Sequence, residues 1–412
     1  MTNTHRAEAT AEPPPPGTPG ASEGRPGHPR DRVPPAVRLV ALGIFTMVTS
    51  EFAVGGLMPR MAEGLGTGVP QVGYLITAFA LAMAVGGPVA ATALHRLRPT
   101  TALLVLYAVF LAGNALAAAA PGYTAMFVAR VVTGAASGAF FGVALSVVAR
   151  ITRPELRGRA TGVAMQGLMV GTLLGLPLAT FLGELWGWRA AFVAIGVLTL
   201  VAAGASAAAL PRLDHPEAVG GLGREAAVLR DSRLIGAMLC STLIIGATFA
   251  AFSYFTPILT EVTGFSSGTV PLLLLAYGAA TVVGNAVVAR FAVSRTLTVI
   301  AAGLALNTAF LVTFALAAGH KAPAVVAMAG IGLVGVTMNP AMITRVQRIG
   351  NAGPLVNTVH SSFITMGVVV GSWVGGLGID AFGLRAPLWT GAALALVGLA
   401  TLLPSAARRL RE

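Results

Sequence analysis

The sequence predicts an all-α membrane protein with twelve transmembrane helices, arranged as two pseudo-symmetric six-helix bundles. Three observations support this fold: the composition, the spacing of the apolar runs and an internal repeat. Only 10% of the 412 residues are charged and 55% are hydrophobic, whereas a soluble globular protein carries roughly 25% charged residues. The single cysteine, Cys240, excludes an intramolecular disulfide and a cysteine-based metal cluster.

Apolar runs that are long enough to cross a membrane follow one another along most of the chain. They cover 37–59, 72–94, 100–119, 124–149, 160–183, 190–210, 234–256, 269–292, 296–318, 323–344, 355–379 and 386–404. The polar, proline-rich segment 1–33 cannot bury a core and is predicted to be a disordered tail. We expect the first bundle at 34–210, a linker at 211–233, the second bundle at 234–404 and a tail at 405–412.

The two halves of the chain repeat one another at a nearly constant offset. Glu63 and Gly66 recur 198 residues later as Glu261 and Gly264. The motif Gly-x-Arg-Ala at 187–190 recurs 196 residues later. In membrane proteins with parallel repeats of this kind, ligands bind at the interface between the halves, near the middle of the membrane.

Basic residues are unevenly distributed between the loops at the two ends of the predicted bundles. If both termini are cytoplasmic, the cytoplasmic segments hold most of the arginines, and 150–159 alone holds four. The loops at the other end hold only Arg60, Arg189, Lys321 and Arg385. The bias of Lys and Arg toward cytoplasmic loops therefore predicts this orientation, and it accounts for the net charge of +12 without a nucleic-acid partner.

Two opposite charges, Glu51 and Arg130, lie deep in apolar runs of the first half. At ~1.5 Å per residue, Glu51 lies ~12 Å from Pro59 and Arg130 lies ~10 Å from Tyr123, so their depths are similar. A charge in hydrocarbon is costly and usually marks a functional site. We predict that Glu51 takes up and releases protons and that Arg130 is its switchable partner. The alternatives are a structural acid and an arginine that anchors helices through backbone carbonyls.

Three motifs carry a family resemblance: T-S-E-F at 49–52, R-V-V-T-G-A-A-S-G-A-F-F-G at 130–142, and G-T-L-L-G-L-P-L-A-T-F-L-G-E-L-W-G-W-R-A-A-F at 171–192. They resemble the major facilitator superfamily, in particular its twelve-helix drug:proton antiporters and, among these, the arabinose-efflux and chloramphenicol-efflux permeases. The third motif is similar to the antiporter motif on helix five. One departure is the loop between helices two and three, where His95 stands at the family's acidic position, so a salt bridge that holds the cytoplasmic gate shut is not expected.

The resemblance implies a proton-coupled transporter that exports a drug-like or antibiotic-like small molecule by alternating access. It implies a monomer in the plasma or inner membrane that is not an enzyme. The proton gradient would drive transport without a cofactor, and the partners would be the substrate, protons and the lipid bilayer. The sequence leaves two other functions open: a sugar or metabolite efflux permease and a non-transporting membrane sensor.

Small residues spaced along predicted helix five form the motif Gly171, Gly175, Pro177 and Gly183. Glycines four residues apart allow two helices to approach closely, and a proline removes a backbone donor and permits bending. The resemblance assigns this face to packing against a helix of the other bundle. An ordinary close contact between membrane helices would require nearly the same residues.

Aromatic and uncharged polar side chains within the apolar runs are candidates for the substrate cavity. They are Phe52, Phe79, Phe141, Gln166, Tyr254, Asn339 and His360. The alternative for each is core packing or a hydrogen bond between helices. Because histidine ordinarily titrates near neutral pH, His360 is also a candidate for a second proton site.

Overall fold

The computed structural model describes residues 33–94, 96–211, 213, 230–350 and 354–402, and the regular structure in these ranges is helical. Several predicted features lie outside the described residues: most of the amino-terminal tail, most of the linker, His95 and the tail 405–412.

Twelve helices make up the described chain, as the sequence predicted. The first six are α1 (Ala36–Leu65), α2 (Val69–Leu81, continued by Ala82–Gly86 and Gly87–Ala93), α3 (Pro99–Ala119), α4 (Tyr123–Ile151), α5 (Arg157–Trp186) and α6 (Trp188–Ala209). The other six are α7 (Ser232–Phe252, followed by Phe255–Pro257 and Ile258–Val262), α8 (Val270–Phe291), α9 (Thr296–Ala317), α10 (Lys321–Val334, resumed at Asn339–Ile349), α11 (Pro354–Leu377, followed by Ile379–Phe382) and α12 (Ala386–Ala400). Eleven of these helical stretches are long and apolar enough to cross a membrane, and α12 is shorter.

The helices pack in the same pattern in each half of the chain. In the first half, α1 packs on α5 and α6, and α3 packs on α4 and α6. In the second half, α7 packs on α11 and α12, and α9 packs on α10 and α12. The halves meet where α2 contacts α11 and where α8 contacts α5, and these two contacts are also related by the repeat. The packing therefore follows the internal repeat, while the residue limits of the two bundles stay a prediction.

Four glycines among the described residues have a left-handed backbone, and they form two repeat-related pairs. Gly66 has φ 63° and its counterpart Gly264 has φ 75°. Gly187 has φ 84° and its counterpart Gly383 has φ 73°. Because side chains with a Cβ rarely adopt this conformation, the turns after α1 and α5 and their counterparts require glycine. This requirement explains why these glycines recur in the sequence.

Short connections make successive helices antiparallel within each half, and the last residues of α1 and of the α7 segment line one pocket. Ala36 and Ala400 therefore lie at one end of the molecule, called here the terminal end. The opposite end is the far end. The halves touch in the far-end half of the helices, where Thr77 Oγ1 of α2 lies 2.8 Å from Ser372 Oγ of α11. By contrast, Gln166 on α5 and Ser361 on α11 lie toward the terminal end and are exposed.

Candidate functional site

Arg130 lies at the centre of a buried polar network in the first half. Its side chain is 1% exposed. Nη1 donates to the Ser50 carbonyl oxygen at 2.9 Å, and Nη2 donates to the Glu51 carbonyl oxygen at 3.2 Å. The guanidinium also lies over the Phe79 ring, with Cζ 4.2 Å from the ring centroid. Ser50 Oγ in turn lies 3.3 Å from Asn114 Oδ1, so this network joins α1, α3 and α4.

The Glu51 side chain is half-buried and lines a small cavity where the two halves meet. The other walls are Phe52, Gly55, Ile76, Phe79 and Ala80 of the first half and Phe249, Phe252, Ser253 and Val368 of the second half. Its volume of about 10 Å³ has room for about one water molecule. Ligand pockets for drug-sized molecules occupy about 300–1,000 Å³, so a substrate requires the halves to separate here.

Aromatic rings close this cavity from both halves. The Phe52 ring of α1 lies 6.2 Å from the Phe249 ring and 5.6 Å from the Phe252 ring, between centroids. Phe252 also stacks on Tyr277 of α8, at 5.1 Å between centroids. The carboxylate of Glu51 therefore faces walls that are mostly aromatic and aliphatic.

The expected pairing of Arg130 with the Glu51 carboxylate is not made in this conformation. In the part of the chain that the structure describes, no hydrogen bond or ion pair joins the two side chains, although they interact electrostatically. Arg130 instead binds the backbone carbonyls of Ser50 and Glu51. The switch between these two partners stays a prediction, because it requires a second conformation.

Sequence reasoning missed several residues that line the cavity, among them Phe252, Ser253 and Val368. The repeat contained a usable signal for one of them. A shift of 198 residues maps Glu51 onto Phe249 and Gly55 onto Ser253, and all four line the cavity. No comparable signal identified Val368, which reaches the cavity from α11.

The remaining candidates for the substrate cavity lie in other surroundings. Tyr254 is fully buried and donates a hydrogen bond to the Ser372 carbonyl at 2.8 Å. His360 is 2% exposed, with Nε2 2.9 Å from Ser241 Oγ. Phe141 packs against the core, Gln166 is exposed, and Asn339 Oδ1 is buried without a hydrogen-bond partner among the residues that the structure describes. Of the seven predicted residues, only Phe52 and Phe79 lie around the cavity with Glu51, and the others stay predictions.

The glycines of the helix-five motif pack against α1 of the same half. A Cβ on Gly175 would lie 2.9 Å from Thr49 Cα, and one on Gly171 would lie 2.8 Å from Val48 Cβ. Gly183 contacts Leu57 of α1 in the same way. This differs from the expected packing against the other half. The contact of α5 with the other half includes Leu173, whose carbonyl lies 2.9 Å from a Cβ built on Gly278 of α8.

Comparison with known proteins decides the family of the chain. The profile of the Major Facilitator Superfamily matches residues 40–353. The chain belongs to the Major Facilitator Superfamily. It is therefore a multi-pass membrane transporter and not an enzyme, and the predicted all-α fold is confirmed.

Relatives of the chain and a solved structure agree with this assignment. The inner membrane transport protein YdhP of Escherichia coli K12 is 30% identical over 352 residues, which are 83% of this chain and 88% of that protein. A chloramphenicol resistance protein of Streptomyces lividans is 30% identical over 380 residues, 90% of this chain and 96% of that protein. The fold is similar to that of a bacterial homologue of the human lysosomal transporter Spinster, with a TM-score of 0.70, 16% identity and coverage of 89% and 96%.

Proposed function

We propose that this member of the superfamily exports a drug-like small molecule from the cell in exchange for protons. The observation that carries the proposal is the position of Glu51. Its carboxylate accepts no hydrogen bond from the described residues and lines the cavity at the meeting point of the two halves. An acid kept at such a site without a fixed partner is suited to binding a proton or a cationic substrate.

The contacts of Arg130 suggest how proton binding and movement are coupled. Arg130 holds the backbone of α1 at the residue that carries the acid and at the residue before it. A neutral, protonated Glu51 tolerates the closed apolar cavity, because only the charged form must keep water or a cation beside it. Loss of the proton therefore favours separation of the halves around Glu51. In this proposal Arg130 becomes the partner of the carboxylate when the cavity rearranges.

The walls of the cavity favour an aromatic or amphipathic substrate over a sugar. Phe52, Phe249 and Phe252 provide ring faces, and Ser253 provides a single hydroxyl. Ligand sites of this kind bind apolar molecules and orient them with a few polar groups. The chloramphenicol resistance protein among the relatives supports the same substrate class. Export of a sugar or another metabolite is the second candidate, and a sensor without transport is the third.

The orientation belongs to the proposal as well. The bias of arginine toward the terminal end supports a cytoplasmic location for that end and for both chain termini. The halves touch toward the far end, so separation of the halves from the terminal end would admit substrate from the cytoplasm. The relative named as an inner membrane transport protein supports a location in the cell membrane.

The proposal is tested with inverted membrane vesicles that carry an imposed proton gradient. A pH-sensitive dye reports proton movement as chloramphenicol, other drugs and sugars are added to wild type and to Glu51→Gln. We expect a drug to dissipate the proton gradient in wild type. In the variant the rate of dissipation should fall by about tenfold or more, because the amide of glutamine cannot carry the proton.

The matched control is Glu155→Gln, which removes an exposed carboxylate from the short helix Pro154–Leu156. It should exchange protons at the wild-type rate. If Glu51→Gln also keeps the wild-type rate, Glu51 is structural and His360 becomes the next candidate for coupling. A response to sugars but not to drugs would favour the metabolite permease, and no response to any compound would favour the sensor.

A further inference from the structure

A second and larger pocket opens at the far end of the molecule, beyond the contacts that close the central cavity. It has a volume of about 340 Å³, within the range of ligand pockets of about 300–1,000 Å³. Its walls come from both halves: Gly56, Pro59, Arg60, Glu63, Thr180 and Glu184 of the first, and Thr256, Thr260, Glu261, Ser267 and Val270 of the second. We call it the far-end pocket.

The charges of the far-end pocket sum to about two negative charges. Arg60 and Glu184 form a bidentate pair, with Nε–Oε1 and Nη2–Oε2 distances of 2.8 Å. This pair leaves Glu63 and Glu261, which are exposed and make no ion pair in the part of the chain that is described. The Arg60 charge also acts on Glu63, but it is shared with Glu184. The pocket therefore presents net negative potential to a molecule that enters it.

The two unpaired acids are related by the internal repeat. Glu63 follows α1 residue Pro59 by four positions, and Glu261 follows Pro257 by four positions in the second half. Each half thus contributes one unpaired carboxylate to the same pocket. A cation between them would be attracted by both halves at once.

A buried hydroxyl at the wall gives a second, independent indication of a ligand. Thr256 is 5% exposed and lines the pocket, and its Oγ1 has no hydrogen-bond partner in the described structure. Buried polar side-chain atoms nearly always have a partner, so an unpartnered one suggests an absent ligand or water. Other hydroxyls nearby already donate within their own helices, as Thr180 does to the Leu176 carbonyl.

We infer that the far-end pocket is a second binding site and that its ligand is an organic cation. The described residues contain no group of three or more His, Cys, Asp or Glu side chains that could hold a metal ion, so a bare divalent ion is a poorer fit. An ammonium or aromatic cation has a charge that two separated carboxylates can share. Its donors would meet the hydroxyls of Thr256, Thr260 and Ser267, and its apolar part would contact Pro59 and Val270.

The binding inference stands on the pocket itself, whereas its purpose rests on the proposed function. If the chain exports cationic drugs, the far-end pocket is where a molecule pauses after it leaves the central cavity. Water reaches this pocket and salt screens its charges. Binding there would be weaker than in a closed apolar site, which suits release.

The test is binding of ethidium, an aromatic monocation that fluoresces more strongly when shielded from water, to the purified full-length chain in lipid nanodiscs. The variants are Glu63→Gln with Glu261→Gln and the charge-preserving pair Glu63→Asp with Glu261→Asp, with Glu155→Gln as control. We expect the Gln pair to raise the ethidium Kd by about tenfold or more through loss of attraction. The Asp pair and Glu155→Gln should retain a saturable wild-type site.

An anionic dye of similar size, anilinonaphthalene sulfonate, tests whether charge is the cause, and its binding should not weaken in the Gln pair. An unchanged ethidium Kd in the Gln pair would overturn the inference, and so would equal loss in the Gln and Asp pairs. These results are separable from the vesicle test. If antiport depends on Glu51 but ethidium binding does not depend on Glu63 and Glu261, only the inference about the far-end pocket is refuted. If ethidium binding depends on Glu63 and Glu261 but antiport does not depend on Glu51, only the proposed export is refuted.

Discussion

At the scale of single residues, Arg130 shows how a buried charge is held without an acidic partner. Its two terminal nitrogens bind carbonyls of α1, and its flat face lies on the Phe79 ring. Its Nε has no hydrogen-bond partner among the described residues. The side chain therefore joins two helices in this conformation. Its Nε–H remains available to donate a hydrogen bond in another conformation.

Replacement of Arg130 by lysine tests whether this geometry matters. Lysine keeps the charge, but its compact ammonium group lacks the planar fork of donors that arginine offers to two carbonyls and the flat face that stacks on a ring. We expect Arg130→Lys to lower the free energy of unfolding by about 1–3 kcal/mol and to reduce proton-coupled transport. Thermal unfolding in detergent and the vesicle assay measure the two effects. The exposed Arg153→Lys should change neither, and a wild-type result for Arg130→Lys would mean that charge alone is sufficient.

At the scale of helices, the same close contact occurs once in each half. Gly171 and Gly175 of α5 lie against α1, and Gly371 of α11 lies against α7, where a Cβ would be too close to the Gly246 carbonyl. Glycines on these faces let the backbones approach more closely than any larger residue would. In each half this contact holds a helix that lines the cavity.

Two glycines on α5 provide a matched comparison. A Cβ on Gly175 meets the α1 backbone at Thr49, whereas a Cβ on Gly162 has no atom within 4 Å. We expect Gly175→Ala to destabilise the protein by about 1–3 kcal/mol through overpacking. Gly162→Ala should be neutral or stabilising by up to about 1 kcal/mol, because alanine favours the helix. Melting temperatures of the two variants decide the matter, and equal values would contradict the described contact.

At the scale of the whole molecule, alternating access requires the contacts between the halves to break. The contact of Thr77 with Ser372 joins α2 to α11, with the hydroxyl oxygens 2.8 Å apart. The Leu173 backbone against Gly278 joins α5 to α8. Because these two helix pairs are related by the repeat, the interface between the halves is held at two equivalent places, below the far-end pocket.

A disulfide between positions 77 and 372 should hold this interface closed. The double variant Thr77→Cys with Ser372→Cys is made in a Cys240→Ala background, since Cys240 is the only native cysteine. Sulfur atoms at these positions can reach bonding distance with small adjustment. We expect oxidation to stop transport and a reductant to restore it, while each single variant transports under both conditions. Transport at the full rate with the bond formed would show that this contact need not open.

Much of this architecture was predictable from the sequence alone. The twelve helices, their approximate limits and the repeat follow from the apolar runs and the recurring motifs. The reason is physical: hydrocarbon offers the backbone no hydrogen bonds, so each apolar run of about 20 residues must form a helix. Glu51 and Arg130 stood out for a related reason, since charges at that depth are costly.

The tertiary structure alone decided which face of each helix meets which neighbour. A helix in a membrane is apolar on all sides, so no polar face indicates the direction of the interior. The sequence therefore could not show that Gly175 faces Thr49 of α1, or that Val368 reaches the cavity of Glu51. Nor could it show that Glu63 and Glu261, 198 residues apart, share one pocket. Such contacts depend on how the two halves are placed against each other, and that placement is a property of the folded chain.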